Sequence, residues 1–258
     1  MYMGIDIGSS SSKVALVNDQ RELVATAVVN KGTGTDGCKQ ALQEALDKAG
    51  VTKDDIEFTV ATGYGRITYK EADKQITELS CHAKGVAYLV KDARTIIDIG
   101  GQDAKVIKLD ANGQMVNFGM NEKCAAGTGR FLEVMARVLG CTLSDLSDLA
   151  KQSDKEVSIS SVCTVFAESE VISQLAGGEK IANVARGAHV AIAKRVAGMC
   201  NRVGVEPKVV MTGGVALNAD MVDCMAKELG VPVQAAPDCQ AAGAIGAALA
   251  AYDAANRK

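Results

Sequence analysis

The N-terminal third of the chain consists of short apolar runs with polar breaks, followed by segments with helical spacing. Strands are predicted at 3–8, 13–18 and 22–29, where Val, Ile and Ala are separated by Ser, Asn and Asp turns. A helix is predicted at 38–49, a fourth strand at 56–62 and a longer helix at 71–90. The segment therefore predicts a small α/β lobe.

The pattern of the opening strands then repeats. Strands are predicted at 94–99, 104–109 and 114–118. Asp6 is followed by a Gly-containing turn and Lys13, and Asp98 is followed by a Gly-containing turn and Lys105 at the same interval. Chance is an alternative because Asp-x-Gly is common, but the matching lysines and apolar flanks favour a repeat. Two lobes of similar fold are therefore predicted, at 1–92 and 93–258, with the option that the C-terminal helix packs back on the first lobe.

The rest of the second lobe has mainly helical spacing. Helices are predicted at 131–139, around Phe166, Ile172 and Leu175, at 181–203, and around 219–229 and 239–252. A buried strand at 208–211 leads into Thr212-Gly213-Gly214. The fold class is α/β, with most helices in the second lobe.

Composition and charge narrow the function classes without defining one. The chain has 258 residues, of which 48% are apolar and 23% are charged, and its net charge is −3. These values are typical of a globular protein and give no electrostatic reason to expect nucleic acid or an anionic membrane as a partner. The first strand begins close to Met1 and leaves no room for an export signal, so a cytoplasmic protein is predicted.

Asp6 ends the first strand, and a turn of small residues follows it. Small residues allow backbone N–H groups to approach a phosphate, and serine hydroxyls add further donors. Asp6 is placed to hold Mg²⁺ through its water shell. Lys13 either reaches the phosphates or is solvated. The predicted nucleotide ligands of this hairpin are Gly8, Ser9, Ser10, Ser11, Ser12 and Lys13.

The second copy offers the same arrangement. Asp98 is suited to position or deprotonate an attacking water, and Gln102 to orient it, while Gly100 and Gly101 supply the phosphate turn. A plain tight turn explains one such hairpin equally well, but two copies together with the glycines of 212–214 favour a nucleotide site. The predicted catalytic residues are Asp6, Asp98 and Gln102.

Two other nucleotide motifs are excluded by the sequence. No G-x-x-x-x-G-K-[ST] segment is present, so the chain has no P-loop. Gly127-Thr128-Gly129 begins like a dinucleotide fingerprint, but Leu132 stands at the third glycine position and no buried strand runs into the segment.

Eight cysteines are present, and no two of them form a C-x-x-C pair, so neither a zinc ribbon nor a single-chain ferredoxin cluster is indicated. Most of them fit buried apolar positions. Cys124 and Cys163 instead precede amphipathic helices, where free N–H groups and the helix dipole favour a thiolate. They are either metal ligands or ordinary loop cysteines. His82 and His189 lie in helical patterns and are predicted to be structural.

The two hairpins and the glycine pair resemble the phosphate and adenosine motifs of the superfamily of actin, hexokinase and the heat-shock chaperone ATPases. The resemblance implies two similar lobes of the actin-like ATPase (ribonuclease H-like) fold, with ATP in the cleft between them. In the adenosine motif, Val209–Val215, it implies nucleotide contacts from Gly213 and Gly214, and we expect a further contact from Gln240. It also implies that the helices at 71–90 and 240–252 cross at small residues, namely Ala83, Gly85, Gly243 and Gly246.

The two cysteine segments are similar to signatures of a narrower family. Lys123-Cys124-Ala125-Ala126-Gly127-Thr128-Gly129-Arg130-Phe131 and Cys163-Thr164-Val165-Phe166-Ala167-Glu168-Ser169-Glu170 resemble the activator ATPases of 2-hydroxyacyl-CoA dehydratases. These are relatives of the ATPase subunits of benzoyl-CoA reductase. The segments at 61–66 and 78–82 match the same family.

The narrower resemblance implies cofactors and partners. It implies ATP/ADP, Mg²⁺ and one [4Fe-4S] cluster per homodimer, to which each chain contributes Cys124 and Cys163. It further implies ATP hydrolysis coupled to one-electron transfer to a dehydratase component, with ferredoxin or flavodoxin as electron donor. The alternatives are a small-molecule, sugar-type kinase of the same superfamily and a non-enzymatic actin-like scaffold. Neither alternative explains the two cysteines.

Overall fold

The computed structural model describes residues 1–160 and 163–257, and the chain divides into two units. Unit 1 contains Met1–Ala93, Leu109–Val116 and Ala236–Lys258, and unit 2 contains Arg94–Lys108 and Asn117–Ala235. The units are assembled from separate stretches of chain, and Ala236–Lys258 belongs to unit 1.

The described residues form ten strands and eight helices, in addition to three single-turn 3-10 helices. The strands are β1 (Tyr2–Ile7), β2 (Ser12–Val17), β3 (Leu23–Val29), β4 (Phe58–Thr62), β5 (Lys74–Gln75), β6 (Thr95–Ile99), β7 (Ala104–Leu109), β8 (Met115–Asn121), β9 (Val209–Thr212) and β10 (Val233–Ala235). The helices are α1 (Gly37–Ala49), α2 (Glu78–Leu89), α3 (Gly129–Leu139), α4 (Asp145–Lys151), α5 (Thr164–Ala176), α6 (Ile181–Val203), α7 (Ala219–Leu229) and α8 (Ala242–Ala255).

The sheet of unit 1 has the strand order β3-β2-β1-β4-β5. β1 pairs antiparallel with β2 and parallel with β4. Every residue of β1 is buried. Ala41, Ala45 and Leu46 of α1 pack into one cluster with apolar residues of β1, and α8 packs against the sheet in two others. A sheet covered in this way has strands that are apolar on both sides, which explains the short unbroken apolar runs of the sequence.

Helices α2 and α8 of unit 1 cross at glycines. A Cβ atom on Gly85 would meet the carbonyl oxygen of Ala242, and one on Gly246 would meet that of Cys81. The predicted crossing at small residues is confirmed, because only residues without a Cβ atom allow the two backbones to come this close.

The predicted helix at 71–90 is wrong over its first turns. Residues 74–75 add β5 to the edge of the sheet, parallel to β4. Asp73 accepts a hydrogen bond from the backbone N–H of Thr59 at 2.7 Å. The helix begins only after Thr77, whose side chain accepts a hydrogen bond from the N–H of Ser80. Sheet pairing and an N-cap therefore override the apolar spacing of this segment.

The sheet of unit 2 has the order β10-β9-β6-β7-β8, and β6 pairs antiparallel with β7 and parallel with β9. Asp98 faces Lys105 across β6 and β7, as Asp6 faces Lys13 across β1 and β2. The predicted strand–turn–strand repeat is therefore confirmed in its register. The strand β10, with only three residues, and the helix α4 were not predicted from the sequence.

Helix α5 exposes two of the three apolar residues around which it is predicted. Phe166 is 68% exposed and Ile172 is 52% exposed, while Ala167 and Val171 are buried. The smaller side chains of Ala167 and Val171, rather than those of Phe166 and Ile172, therefore face the interior of unit 2. The prediction of a helix is confirmed, but the large apolar residues Phe166 and Ile172 do not mark its buried side.

None of the helices in the described parts of the chain combines the length and the apolar character needed to cross a membrane.

Candidate nucleotide and cluster sites

The turn between β1 and β2 is closed by backbone hydrogen bonds. The N–H of Gly8 donates to the carbonyl of Ser11 at 3.0 Å, and the N–H of Thr33 donates to the carbonyl of Gly8 at 2.9 Å. Ser9, Ser10 and Ser11 are half-buried. The fourth serine differs from them, since the hydroxyl of Ser12 is buried and donates to the carbonyl of Lys31 at 2.8 Å. Its predicted role as a phosphate ligand would need that bond to be broken.

The carboxylate of Asp6 lies beside this turn and is almost fully buried. Its Oδ2 atom is 3.2 Å from the Nζ atom of Lys13, and among the described residues its Oδ1 atom has no hydrogen-bond partner. A buried oxygen without a partner is costly unless an ion or water satisfies it. Carboxylate oxygen is the ligand type that Mg²⁺ prefers. The surroundings of Asp6 therefore fit the predicted Mg²⁺.

Two glycines make room around Asp6. Gly63 has φ +83°, and a Cβ atom there would meet the Oδ1 atom of Asp6. A Cβ atom on Gly243 would lie 3.1 Å from the Oδ2 atom of Asp6 and 3.1 Å from the Nε2 atom of His82. His82, which the sequence predicts to be structural, therefore faces the same small space as Asp6. Sequence spacing could not reveal that His82 lies near Asp6, because α2 and α8 are distant along the chain.

The second hairpin holds its aspartate through the side chains of Thr212 and Lys105. The Oδ1 atom of Asp98 accepts a hydrogen bond from the hydroxyl of Thr212 at 2.8 Å, and its Oδ2 atom lies 3.3 Å from the Nζ atom of Lys105. Lys105 also reaches Asp103 at 2.8 Å and is fully buried. Lys105 is therefore shielded from solvent. Gln102 is exposed at the turn.

The glycine pair after β9 packs against the end of β6. Thr212 lies beside Asp98 in the parallel register of the two strands. Gly213 has φ +83°, and a Cβ atom there would meet the carbonyl of Ile99. Positive φ and the close backbone both require glycine at this position. Unit 2 thus brings Asp98 together with Gly213, as the sequence predicts. Gln240 belongs to unit 1, where it lies half-buried before α8.

Helix α3 is joined to the second hairpin through its backbone. The N–H of Gly129 donates to the carbonyl of Gly100 and the N–H of Arg130 donates to that of Gly101, both at 2.8 Å. Cys124 lies before this helix in a turn that ends at the N-cap, Thr128. The prediction that Cys124 sits directly at a helix start is therefore wrong, because a turn separates it from α3 and the first helical N–H groups are already bonded.

The loop of Cys124 is tied down by side chains. The amide of Asn121 donates to the carbonyls of Cys124 at 2.8 Å and Ala126 at 3.2 Å. The hydroxyl of Thr128 donates to the carbonyl of Ala125 at 2.7 Å. The position of Cys124 is therefore coupled to the start of α3, and through α3 to Gly100 and Gly101.

Cys163 occupies the N-cap of α5, as the sequence predicts, and both Cys124 and Cys163 are half-buried. Several other thiols are held in the protonated form. Burial raises the pKa of Cys81, Cys200 and Cys224 to about 12. Burial also raises the pKa of Cys38 and Cys141. A cluster needs four thiolates, so Cys124 and Cys163 fit a cluster only if a second chain supplies the other two.

Comparisons with known proteins agree with these features. The model of the BadF/BadG/BcrA/BcrD ATPase family matches residues 3–251. The chain is 55% identical to the activator of lactoyl-CoA dehydratase from Anaerotignum propionicum over the whole of both chains. It is 51% identical to the (R)-2-hydroxyglutaryl-CoA dehydratase activating ATPase from Acidaminococcus fermentans, with 97% of this chain and 96% of the relative covered.

A solved structure gives the same result for the fold. The activator of the 2-hydroxyisocaproyl-CoA dehydratase from Clostridium difficile, with bound ADPNP, matches with a TM-score of 0.95 and 52% identity over 99% of this chain and 96% of the other. The predicted actin-like ATPase fold is confirmed. The chain therefore belongs to the BadF/BadG/BcrA/BcrD ATPase family, as its hairpins and cysteine segments predict.

Proposed function

We propose that this protein is an ATP-hydrolysing activator that passes one electron to a 2-hydroxyacyl-CoA dehydratase. The observation that carries the proposal is the similarity to activators of such dehydratases over the whole chain, at 55% identity in one case. The alternative of a sugar-type kinase has no comparable support, since the relatives of high identity are activators.

The two hairpins supply the nucleotide chemistry. Asp6 would hold Mg²⁺, and the half-buried turn that Gly8 begins presents the N–H groups of Ser9–Ser11 to phosphate, since the N–H of Gly8 already donates to the carbonyl of Ser11. Lys13, now paired with Asp6 at 3.2 Å, moves to the phosphate oxygens when nucleotide is present. Asp98 orients or deprotonates the attacking water, and the exposed Gln102 contributes a further hydrogen bond to it. ADPNP bound to a relative with 52% identity supports nucleotide binding here.

Cys124 and Cys163 are the proposed ligands of a [4Fe-4S] cluster shared with a second copy of the chain. When bound, such a cluster takes up one electron and releases it. The two half-buried thiols supply half of the ligand set, and a twofold axis supplies the other half. Ferredoxin or flavodoxin is the proposed electron donor.

The backbone bonds between the second hairpin and α3 offer a route for coupling. A change in the hairpin that shifts the carbonyls of Gly100 and Gly101 also shifts the start of α3, because the N–H groups of Gly129 and Arg130 bond to them. Thr128 and Asn121 pass this shift to the loop of Cys124. ATP binding or hydrolysis therefore changes the surroundings of the cluster ligand.

The proposed cluster is tested by anaerobic purification, followed by iron and sulfide analysis and by spin-resonance spectroscopy. Wild type is expected to contain about four irons per two chains. Cys124→Ser and Cys163→Ser are each expected to lose the cluster. Cys141→Ser is the matched control, because Cys141 is also half-buried in unit 2 but is not a proposed ligand. An iron-free wild type, produced with adequate iron, would contradict the proposal.

Phosphate release without a sugar acceptor separates the activator from a kinase.

A further inference from the structure

A buried polar network joins α6 to α7 in unit 2, away from the residues assigned above. His189 is fully buried, and its Nδ1 atom lies 2.6 Å from the Oδ2 atom of Asp220. The guanidinium of Arg186 contacts the other oxygen of the same carboxylate. Buried polar groups of this kind are stable only when each has a partner.

The hydrogen bonds of Asn218 fix the tautomer of His189. The Oδ1 atom of Asn218 accepts the backbone N–H of Met221 at 3.0 Å, as the N-cap of α7. The amide nitrogen of Asn218 therefore faces the Nε2 atom of His189, at 3.1 Å. An amide nitrogen can only donate, so Nε2 accepts, and the ring proton is on Nδ1, where it is donated to Asp220. His189 is consequently neutral.

The partners of Asp220 agree with this assignment. Burial acts to raise the pKa of Asp220, but the hydrogen bond from His189 and the charge and hydrogen bond of Arg186 act against it, and this pKa is lowered. Asp220 is therefore a carboxylate that accepts from both neighbours. Cys224, the other titratable group of α7 in this network, donates to it at 3.8 Å.

Asn218 ends the segment that begins with the glycine pair. Gly213 is fixed against the carbonyl of Ile99 at the end of β6. A 3-10 turn at Gly214–Leu217 follows, and the N–H of Asn218 donates to the carbonyl of Val215 at 3.0 Å. The segment is thus held at one end by β6 and at the other by Asn218.

We propose that His189 is a positioning residue for nucleotide binding, which acts by holding Asn218 and with it the turn at 213–218. The proposal rests on the proposed nucleotide contact of Gly213 and Gly214. His189 does not touch the nucleotide; it fixes the conformation in which those glycines meet it.

Binding of ADPNP with Mg²⁺ and steady-state ATP hydrolysis test the role. His189→Ala is expected to raise both the Kd for ADPNP and the KM for ATP by about tenfold, while kcat at saturating ATP changes by less than about twofold, since bound nucleotide restores the turn. His189→Gln is expected to bind close to wild type, because an amide carries both a donor for Asp220 and an acceptor for Asn218.

Val196→Ala is the matched control. It opens a cavity in the same helix at a buried position and lowers stability without removing a hydrogen bond to Asn218. It is expected to leave the Kd unchanged. The inference is overturned if His189→Ala and Val196→Ala weaken ADPNP binding equally, or if His189→Ala binds ADPNP as tightly as wild type does. Failure of wild type to bind ADPNP would instead contradict the proposed nucleotide site.

Imidazole ¹⁵N spectroscopy tests the tautomer without a destabilised variant. The chain has two histidines, so the signal that disappears in His189→Gln belongs to His189. The neutral form with the proton on Nδ1 is expected at neutral pH. A proton on Nε2, or an imidazolium, overturns the inference.

Discussion

Lys105 is fully buried, and its ammonium group lies 3.3 Å from the carboxylate of Asp98. Asp103 is its second partner at 2.8 Å. In unit 1 the corresponding Lys13 lies at nearly the same distance from Asp6, but its side chain is 15% exposed against 1% for Lys105. The repeated pair therefore has the same register in both units and different access to solvent.

Replacing Lys105 by Met is expected to lower the free energy of unfolding by about 3–5 kcal/mol, because it leaves the buried carboxylate of Asp98 without its cation. Urea unfolding measures this loss. Lys13→Met serves as the matched variant and is expected to lose less stability, since water reaches Lys13. Adding Asp103→Asn to Lys105→Met is expected to recover part of the loss. Equal losses in the two single variants would contradict the difference in burial.

Asp6→Asn is expected to reduce Mg²⁺-dependent ATP hydrolysis by at least about a hundredfold, because the amide removes the charge that holds the cation. Phosphate release measures the rate, and titration with ADPNP in the presence and absence of Mg²⁺ separates metal binding from nucleotide binding. Asp73→Asn, at an aspartate of unit 1 outside the hairpin, is the control. Wild-type hydrolysis by Asp6→Asn would exclude the proposed role.

Alkylation of iron-free protein at pH 8 is expected to modify Cys124 and Cys163 well before Cys81, Cys200 and Cys224. The reactive species is the thiolate, and burial that raises the pKa to about 12 keeps the last three thiols protonated and covered. Peptide mass spectrometry after timed quenching gives the order, and all five should react in urea. Early labelling of Cys200 in folded protein would show that the burial described for α6 is wrong.

Stability is expected to fall as the pH rises above about 8.5, the ordinary pKa of a cysteine. The pKa of Cys81, Cys200 and Cys224 is raised in the folded protein, so the unfolded chain loses these protons at a lower pH than the folded chain does. The stabilisation that is present at lower pH is therefore lost progressively up to about pH 12. Tyr69, whose pKa burial also raises to about 12, adds to this above about pH 10. Urea unfolding at several pH values measures the slope. Cys200→Ala should flatten it, and an unchanged slope in that variant would count against the assignment.

Gly129→Ala is expected to separate nucleotide binding from its effect on Cys124. A Cβ atom there would lie 3.0 Å from the carbonyl of Gly100, which is closer than nearly all such contacts. In iron-free protein, ADPNP should change the alkylation rate of Cys124 in wild type but not in Gly129→Ala, although both bind ADPNP. Gly198→Ala, at an open helical position, is the control. An undiminished response in Gly129→Ala would exclude this route.

The sequence predicts the strands and turns of both hairpins well, because the Asp-to-Lys interval, apolar strands and small turn residues are local features. It fails where tertiary contacts decide. The start of α2 depends on pairing of 74–75 with β4, and the buried side of α5 depends on what packs beneath Ala167. The network of His189 with Asn218 depends on a tertiary contact between α6 and the N-cap of α7, which no local spacing indicates, so only the structure could reveal it.

Helix α8 packs in the same clusters as Ala15, Val17 and Val60 of the first sheet. Strands near residue 15 therefore depend on a helix that begins only at residue 242. Until residues 242–255 have been synthesised, the strands of unit 1 present a bare apolar face to solvent, and this unit cannot complete its folding before that point. The nascent N-terminal segment consequently has an interval in which it needs protection from aggregation.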